Sequence, residues 1–218
     1  MKTQASEWGR VFDISPKLHS GVAVFPGDEP FSRKVVMECA NGDLFTLSSI
    51  NSTVHVGAHT DAPNHYDRNG GGIDERPLDY YLGKAQVVKI SAQPGERLRL
   101  KHWNNRPVLA PRVLVQTGSF PNPDQWNTDF NSFSGELIEF LAKSGVKLIG
   151  IDTPSIDPGT DKTFESHHRV YAHDMAVLEG IILDGVPEGI YQLVALPLPI
   201  RDGDASPVRA VLIEMGNK

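Results

Sequence analysis

Residues 55–67 read HVGAHTDAPNHYD and hold His55, His59 and His65, three of the chain's eight histidines, together with Asp61 and Asp67. Imidazole and carboxylate in one short stretch suit zinc or another borderline divalent ion. On a helix, His55 and His59 would share a face, as in the zinc-binding HExxH pattern. Gly57, Pro63 and the β-branched residues before His55 argue against a helix, and Val56 stands where that pattern needs glutamate. In an extended segment His59 and Asp61 point to the same side, and a bend at Gly57 brings His55 back beside them. Each of these residues alone reads as an ordinary loop residue. As a set, with apolar neighbours on the far side of a strand, His55, His59 and Asp61 are expected to bind metal. His65 lies beyond Pro63, near such a site without ligating it, which suits proton transfer near neutral pH.

A second constellation, TFESHHRVYAHDMAVLEG at 163–180, carries His167, His168, His173, Asp174 and Glu179. For His168 and His173 the expectation is a solvated helix face. Local spacing leaves open which of the others reaches a metal. A continuous helix would hold His167 and Glu179 about 18 Å apart. Both can serve one site only if the chain leaves the helix before Glu179, and Asp174 is a suitable turn residue for that exit.

The elements that must position these groups are short, because sixteen prolines and twenty glycines cut the chain repeatedly. Strands are expected at 11–15, 32–37, 43–56, 86–90, 112–116, 146–152, 180–183, 191–196 and 210–214. A helical turn is expected at 77–82. The clearest helix is 134–144, with Ser134 as its cap, Leu137, Ile138 and Leu141 on one face, and Gly145 as its stop. A second helix should cover part of 164–174. The fold class is therefore a β-rich α/β single domain at 11–218, preceded by a mobile tail at 1–10.

Composition narrows the function classes. With 218 residues and a net charge of −6, the chain has no basic cluster that would favour nucleic acid or an anionic membrane. Its single cysteine, Cys39, reads as inert and half-buried and fits a reducing compartment. No secretory leader or apolar run of about 18 residues is present, so a cytoplasmic location is expected.

The stretch HVGAHTDAPNHYD resembles the HxGxHxDxPxH signature of the cyclase-like metal-dependent hydrolases. Within that group, VFDISP, FPGD, PLDYYLG, VKLIGIDTPSIDP, LEGIILDGVPEGIYQLVALPLPI and DASPVRAVL resemble the bacterial kynurenine formamidases (arylformamidases). The resemblance implies a swivelling β/β/α-type domain, a homodimer and two metal ions per subunit, usually zinc, with manganese an alternative. It makes His55, His59 and Asp61 ligands of the first ion and adds His167 and Glu179 for the second, with Asp61 and Glu179 bridging. His65 matches the proton donor and acceptor. The implied reaction is hydrolysis of N-formyl-L-kynurenine, a small-molecule substrate, in tryptophan degradation. A related hydrolase of another cyclic or formylated amide, such as an isatin-type lactam, is the main alternative; a binding module that has lost catalysis is a second. Phe25 departs from the family, where the substrate-contacting position is commonly tryptophan, and it loses the indole N–H donor.

Overall fold

Three short apolar runs without alternation, RVLVQ, LIGI and AVL, form neighbouring parallel strands buried on both faces, the environment such runs require. The computed structural model describes residues 5–6 and 9–215. In chain order its first strands are β1 (Ala5–Ser6), β2 (Gly9–Asp13), β3 (Ser32–Met37), β4 (Leu47–Asn51), β5 (His59–Asp61), β6 (Leu82–Lys89) and β7 (Arg97–Leu98). Helix α1 (Leu100–Trp103), β8 (Arg112–Gln116), β9 (Ser132–Phe133), α2 (Gly135–Lys143), β10 (Leu148–Ile151) and α3 (Glu165–Ala172) follow. The chain closes with β11 (Ala176–Leu178), β12 (Gly189–Val194), β13 (Ala205–Pro207) and β14 (Val211–Glu214).

Eight strands make one sheet in the order β1-β2-β14-β12-β6-β8-β10-β11. Pairing is antiparallel from β1 to β6 and parallel from β6 to β11. Alternate side chains enter opposite cores. Leu114, Leu148, Ala176 and Leu178 face one layer, while Val113, Val115, Ile149, Ile151 and Val177 face the other. Leu137, Ile138 and Leu141 of α2 and Val170 of α3 cover the second layer. Burying each of these aliphatic side chains contributes roughly 1.5–3 kcal/mol. The first layer is covered by irregular chain, including Ala58, Ala62, Ile73, Ile181 and Leu183. The β-rich α/β fold expected from the sequence, with few helices, is the one observed.

Helix α2 begins where Ser134 accepts a hydrogen bond from the Leu137 N–H and ends before Gly145, whose φ of +86° closes the last turn. Three expectations need correction. Only Leu47–Asn51 of the stretch 43–56 is a strand, pairing with β3 in a separate two-stranded arm. Residues 180–183 form no strand, although Ile181 and Leu183 are buried. Gly180 has φ +63°, and a Cβ there would lie 2.1 Å from the Gly57 carbonyl oxygen. The two loops cross too closely for any other residue, and that crossing replaces a strand. Cys39 sits exposed at the turn of the β3–β4 arm rather than half-buried. Strand pairing also begins inside the expected tail, at Ala5–Ser6 with Gly9–Arg10, while 1–4 and 7–8 lie outside the described residues. Among the described residues no helix is long and apolar enough to cross a membrane.

Candidate active site

The site is assembled where the Gly57–Gly180 crossing holds two loops together. Gly57, at φ +61°, turns the chain so that His55 lies back over β5. Strand β5 then carries His59 and Asp61 on one face and pairs with β13. His59 and Glu179 exchange two backbone hydrogen bonds, His59 N to Glu179 O at 3.1 Å and Glu179 N to His59 O at 2.9 Å. Glu179 reaches this position because α3 stops at Ala172 and Asp174, at φ +48°, turns the chain into β11. The chain thus leaves the helix before Glu179, with Asp174 at the exit.

His167 comes from the first turn of α3. Phe164 precedes that helix at φ +50°, a conformation costly for a bulky residue. In place of a local cap, Asp157 from the loop after β10 accepts the Ser166 and His167 backbone N–H groups. The capping interaction therefore also sets the height of His167 in the site.

Asp61 and Glu179 each turn one oxygen to either side. Asp61 Oδ1 lies 3.0 Å from His55 Nδ1 and 3.5 Å from His59 Nε2, while Oδ2 lies 3.3 Å from His167 Nε2. Glu179 Oε2 lies 3.2 Å from His59 Nε2, and Oε1 lies 3.6 Å from His167 Nε2. Three sets of donors close enough to hold a metal ion result: the buried sets His55, His59, Asp61 and Asp61, His167, Glu179, and a more exposed set, His55, His65, Asp204. Asp61 Oδ1 is buried and accepts no hydrogen bond despite these neighbours. An ionised oxygen in that state needs a cation, so the imidazole and carboxylate donors fit a divalent ion.

Electrostatics agree with that fit. Burial alone would raise the Asp61 carboxyl, yet the neighbouring His167 and His55 rings hold it well below the usual carboxylate range. Burial alone would lower His55, but Asp61 and Asp204 outweigh it and raise the ring to about 9. For His167 the same contest, against Asp157 and Asp61, ends at about 10. His65 moves the other way. Burial pushes its pKa below 6.5, with the neighbouring His55 and His167 reinforcing the shift against the pull of Asp61 and Glu179.

These groups lie at the floor of a cleft of about 720 Å³. The cleft brings His55, His59, Asp61, His65, His167, Glu179 and Phe25 together. Phe25 packs edge-on against Trp126 at 5.2 Å, and Phe164 stands 6.1 Å from the His65 ring. His168 and His173 are exposed and do not line the cleft, and Asp67 accepts the Asn69 N–H in a turn. Sequence reasoning missed Asp157, Asp204 and Trp126. Asp204 and Trp126 are distant in sequence from their partners, and no local spacing marks Asp157.

Comparison with known proteins agrees with this geometry. The family model Cyclase, described as "Putative cyclase", matches residues 12–158. A curated kynurenine formamidase from Bordetella petrii is 42% identical over 208 residues, covering 95% of this chain and 99% of that protein. Among solved structures, a potential metal-dependent hydrolase with cyclase activity aligns with a TM-score of 0.82 at 23% identity, covering 95% of this chain and 98% of the other. Isatin hydrolase A from Labrenzia aggregata aligns with a TM-score of 0.78 at 23% identity, covering 94% and 93%. The HxGxHxDxPxH stretch, the fold around it and the similarity along nearly the whole chain thus converge: this chain belongs to the cyclase family, as a relative of the kynurenine formamidases.

Proposed function

We propose that the chain is a metal-dependent arylformamidase that hydrolyses N-formyl-L-kynurenine to L-kynurenine and formate. The observation that carries the reading is the pair of buried carboxylates, Asp61 and Glu179, each offering one oxygen to either half of a histidine-lined site beneath an aromatic cleft. The Bordetella petrii relative supports the choice of substrate. His55, His59 and Asp61 would hold one ion and Asp61, His167 and Glu179 a second. Zinc suits these nitrogen and oxygen donors, and manganese accepts the same set. When bound, such ions supply Lewis acidity toward the formyl carbonyl and water activated near neutral pH.

The chain's own residues supply the rest. Phe25, Trp126 and Phe164 form apolar walls against which the aryl ring can lie. Water adds to the formyl carbon, the C–N bond breaks, and the aniline nitrogen must collect a proton. His65 is neutral at pH 7 because burial lowers its pKa, so it can take the proton from the attacking water and return it to that nitrogen. Formate and the free arylamine then leave.

Phe25 favours one second reading, an isatin-type lactam as substrate, because it lacks the indole donor common at this position. Measuring kcat/KM for N-formyl-L-kynurenine and for isatin on one preparation separates the two. The formamidase reading expects N-formyl-L-kynurenine to be preferred by at least tenfold; a reversed ratio would overturn it. We further propose a homodimer, supported by the exposed Val36, Leu44 and Ile50 of the β3–β4 arm. A cytoplasmic location is proposed from the single free cysteine.

A further inference from the structure

Each candidate ligand histidine has a second partner on the ring nitrogen that faces away from its metal-side carboxylates. His59 Nδ1 lies 3.0 Å from the Gly57 carbonyl oxygen, His167 Nδ1 2.8 Å from Asp157 Oδ2, and His55 Nε2 3.1 Å from Asp204 Oδ2. An acceptor in that place holds one ring N–H, fixes the tautomer, and aims the other nitrogen's lone pair. For His167 and His59 the aimed atom is Nε2, and for His55 it is Nδ1.

The two carboxylate partners differ sharply. Asp157 is buried, and besides His167 Nδ1 it receives Arg97 Nη1 at 2.7 Å and the backbone N–H groups of Ser166 at 3.0 Å and His167 at 3.1 Å. Arg97 is itself pinned by the Phe133 carbonyl at 2.8 Å, Ser166 Oγ at 3.0 Å and Asp161. This is a rigid clamp. Asp204 stands at the cleft, with 54% of its side chain exposed, and its next neighbour, His65 Nδ1, is 4.0 Å away, beyond hydrogen-bond distance. Of the candidate ligands, Asp157 bonds only His167, and Asp204 only His55.

We propose that Asp157 and Asp204 are positioning residues that each tune one half of the centre. Asp157 sets the half formed by Asp61, His167 and Glu179, and Asp204 sets the half formed by His55, His59 and Asp61. This rests on the two-ion reading proposed above. Loss of an outer partner of this kind lowers metal affinity about 10–100-fold. The clamped Asp157 belongs at the upper end of that range and the exposed Asp204 at the lower.

The test is competition for Zn²⁺ between a chromophoric chelator and the full-length protein, comparing wild type with Asp157→Asn, Asp204→Asn and the double variant. Each single variant should weaken one of two ions and leave the other's affinity unchanged, and the double variant should weaken both. Adding Asp157→Asn to His167→Ala should not change the ion that remains, whereas adding Asp204→Asn should weaken it. If Asp157→Asn does not fold, Arg97→Gln loosens the clamp on Asp157 while leaving Asp157 and every candidate ligand unsubstituted, and should weaken the same single ion. Wild-type affinities in both single variants, or equal weakening of both ions in each, would overturn the proposal. A lowered melting temperature with an unchanged ratio of the two affinities would also overturn it, because that result is a purely structural role. Failure of the wild type to bind two ions would instead overturn the two-ion reading itself.

Discussion

His65 and His168 are both histidines close to the candidate ligands in sequence, yet they have opposite expected roles. His65 lines the cleft 4.3 Å from the His55 ring, while His168 points to solvent. His65→Ala should keep the metal content of the wild type and lose about 10²–10⁴-fold in kcat, the usual range for a proton-transfer group. His168→Ala should stay within twofold of the wild type in the same assay. Loss of metal from His65→Ala would remove its proton-transfer role. The raised values of His55, about 9, and His167, about 10, have a further consequence. At pH 7 both rings then carry a proton on each nitrogen, and a metal can use His55 Nδ1 and His167 Nε2 only after the proton facing Asp61 leaves. Zinc uptake by chelator-treated protein should therefore release protons and tighten as pH rises from 6 toward 9. Calorimetry in buffers of different ionisation enthalpy measures the release, and pH-independent binding would contradict it. At this scale HVGAHTDAPNHYD was legible because its candidate ligands are close in sequence and the Gly57 bend is local. Asp204 was not legible, because its partner lies 149 residues away, and Asp157 was not, because its bond to His167 depends on how the loop after β10 meets the start of α3.

Among the elements, β8 and α2 were legible nearly to the residue. An apolar run buried on both faces and a capped, one-sided helix are both decided by nearby residues. The stretch 180–183 has the same apolar character, yet its backbone is set by the contact between Gly180 and Gly57, which no local pattern reveals. The same contact keeps Glu179 beside His59, so it joins fold to site. Gly180→Ala should lower the melting temperature by several degrees, since a methyl group 2.1 Å from a carbonyl oxygen at positive φ forces the loops apart. It should also weaken zinc binding, because Asp61 and Glu179 of one donor set come from opposite sides of the crossing. Unchanged melting and metal affinity in Gly180→Ala would show that the crossing has slack. The 43–56 stretch was over-read for a related reason. Its β-branched residues favour extended backbone, but pairing partners exist only for Leu47–Asn51.

For the whole molecule, the charge balance and the single cysteine bounded what the protein is without locating its site. The family resemblance located most of the candidate ligands, and the sheet explains why they meet: the loops after Gly57, β10 and β11 converge on one cleft. The β3–β4 arm pairs with no other strand among the described residues and exposes Leu44 and Ile50, 91% and 70% accessible. If it is the dimer contact, Leu44→Asp with Ile50→Asp should yield a monomer by light scattering with unchanged zinc content, whereas a persistent dimer would place the contact elsewhere. If the proposed function holds, formamide hydrolysis depends on ions shared through Asp61 and Glu179. The measurement that tests it most directly is kynurenine release from N-formyl-L-kynurenine while zinc is titrated into chelator-treated protein. Turnover should be negligible without zinc and should plateau at two ions per chain. Full activity after chelation, or none with two ions bound, would contradict it.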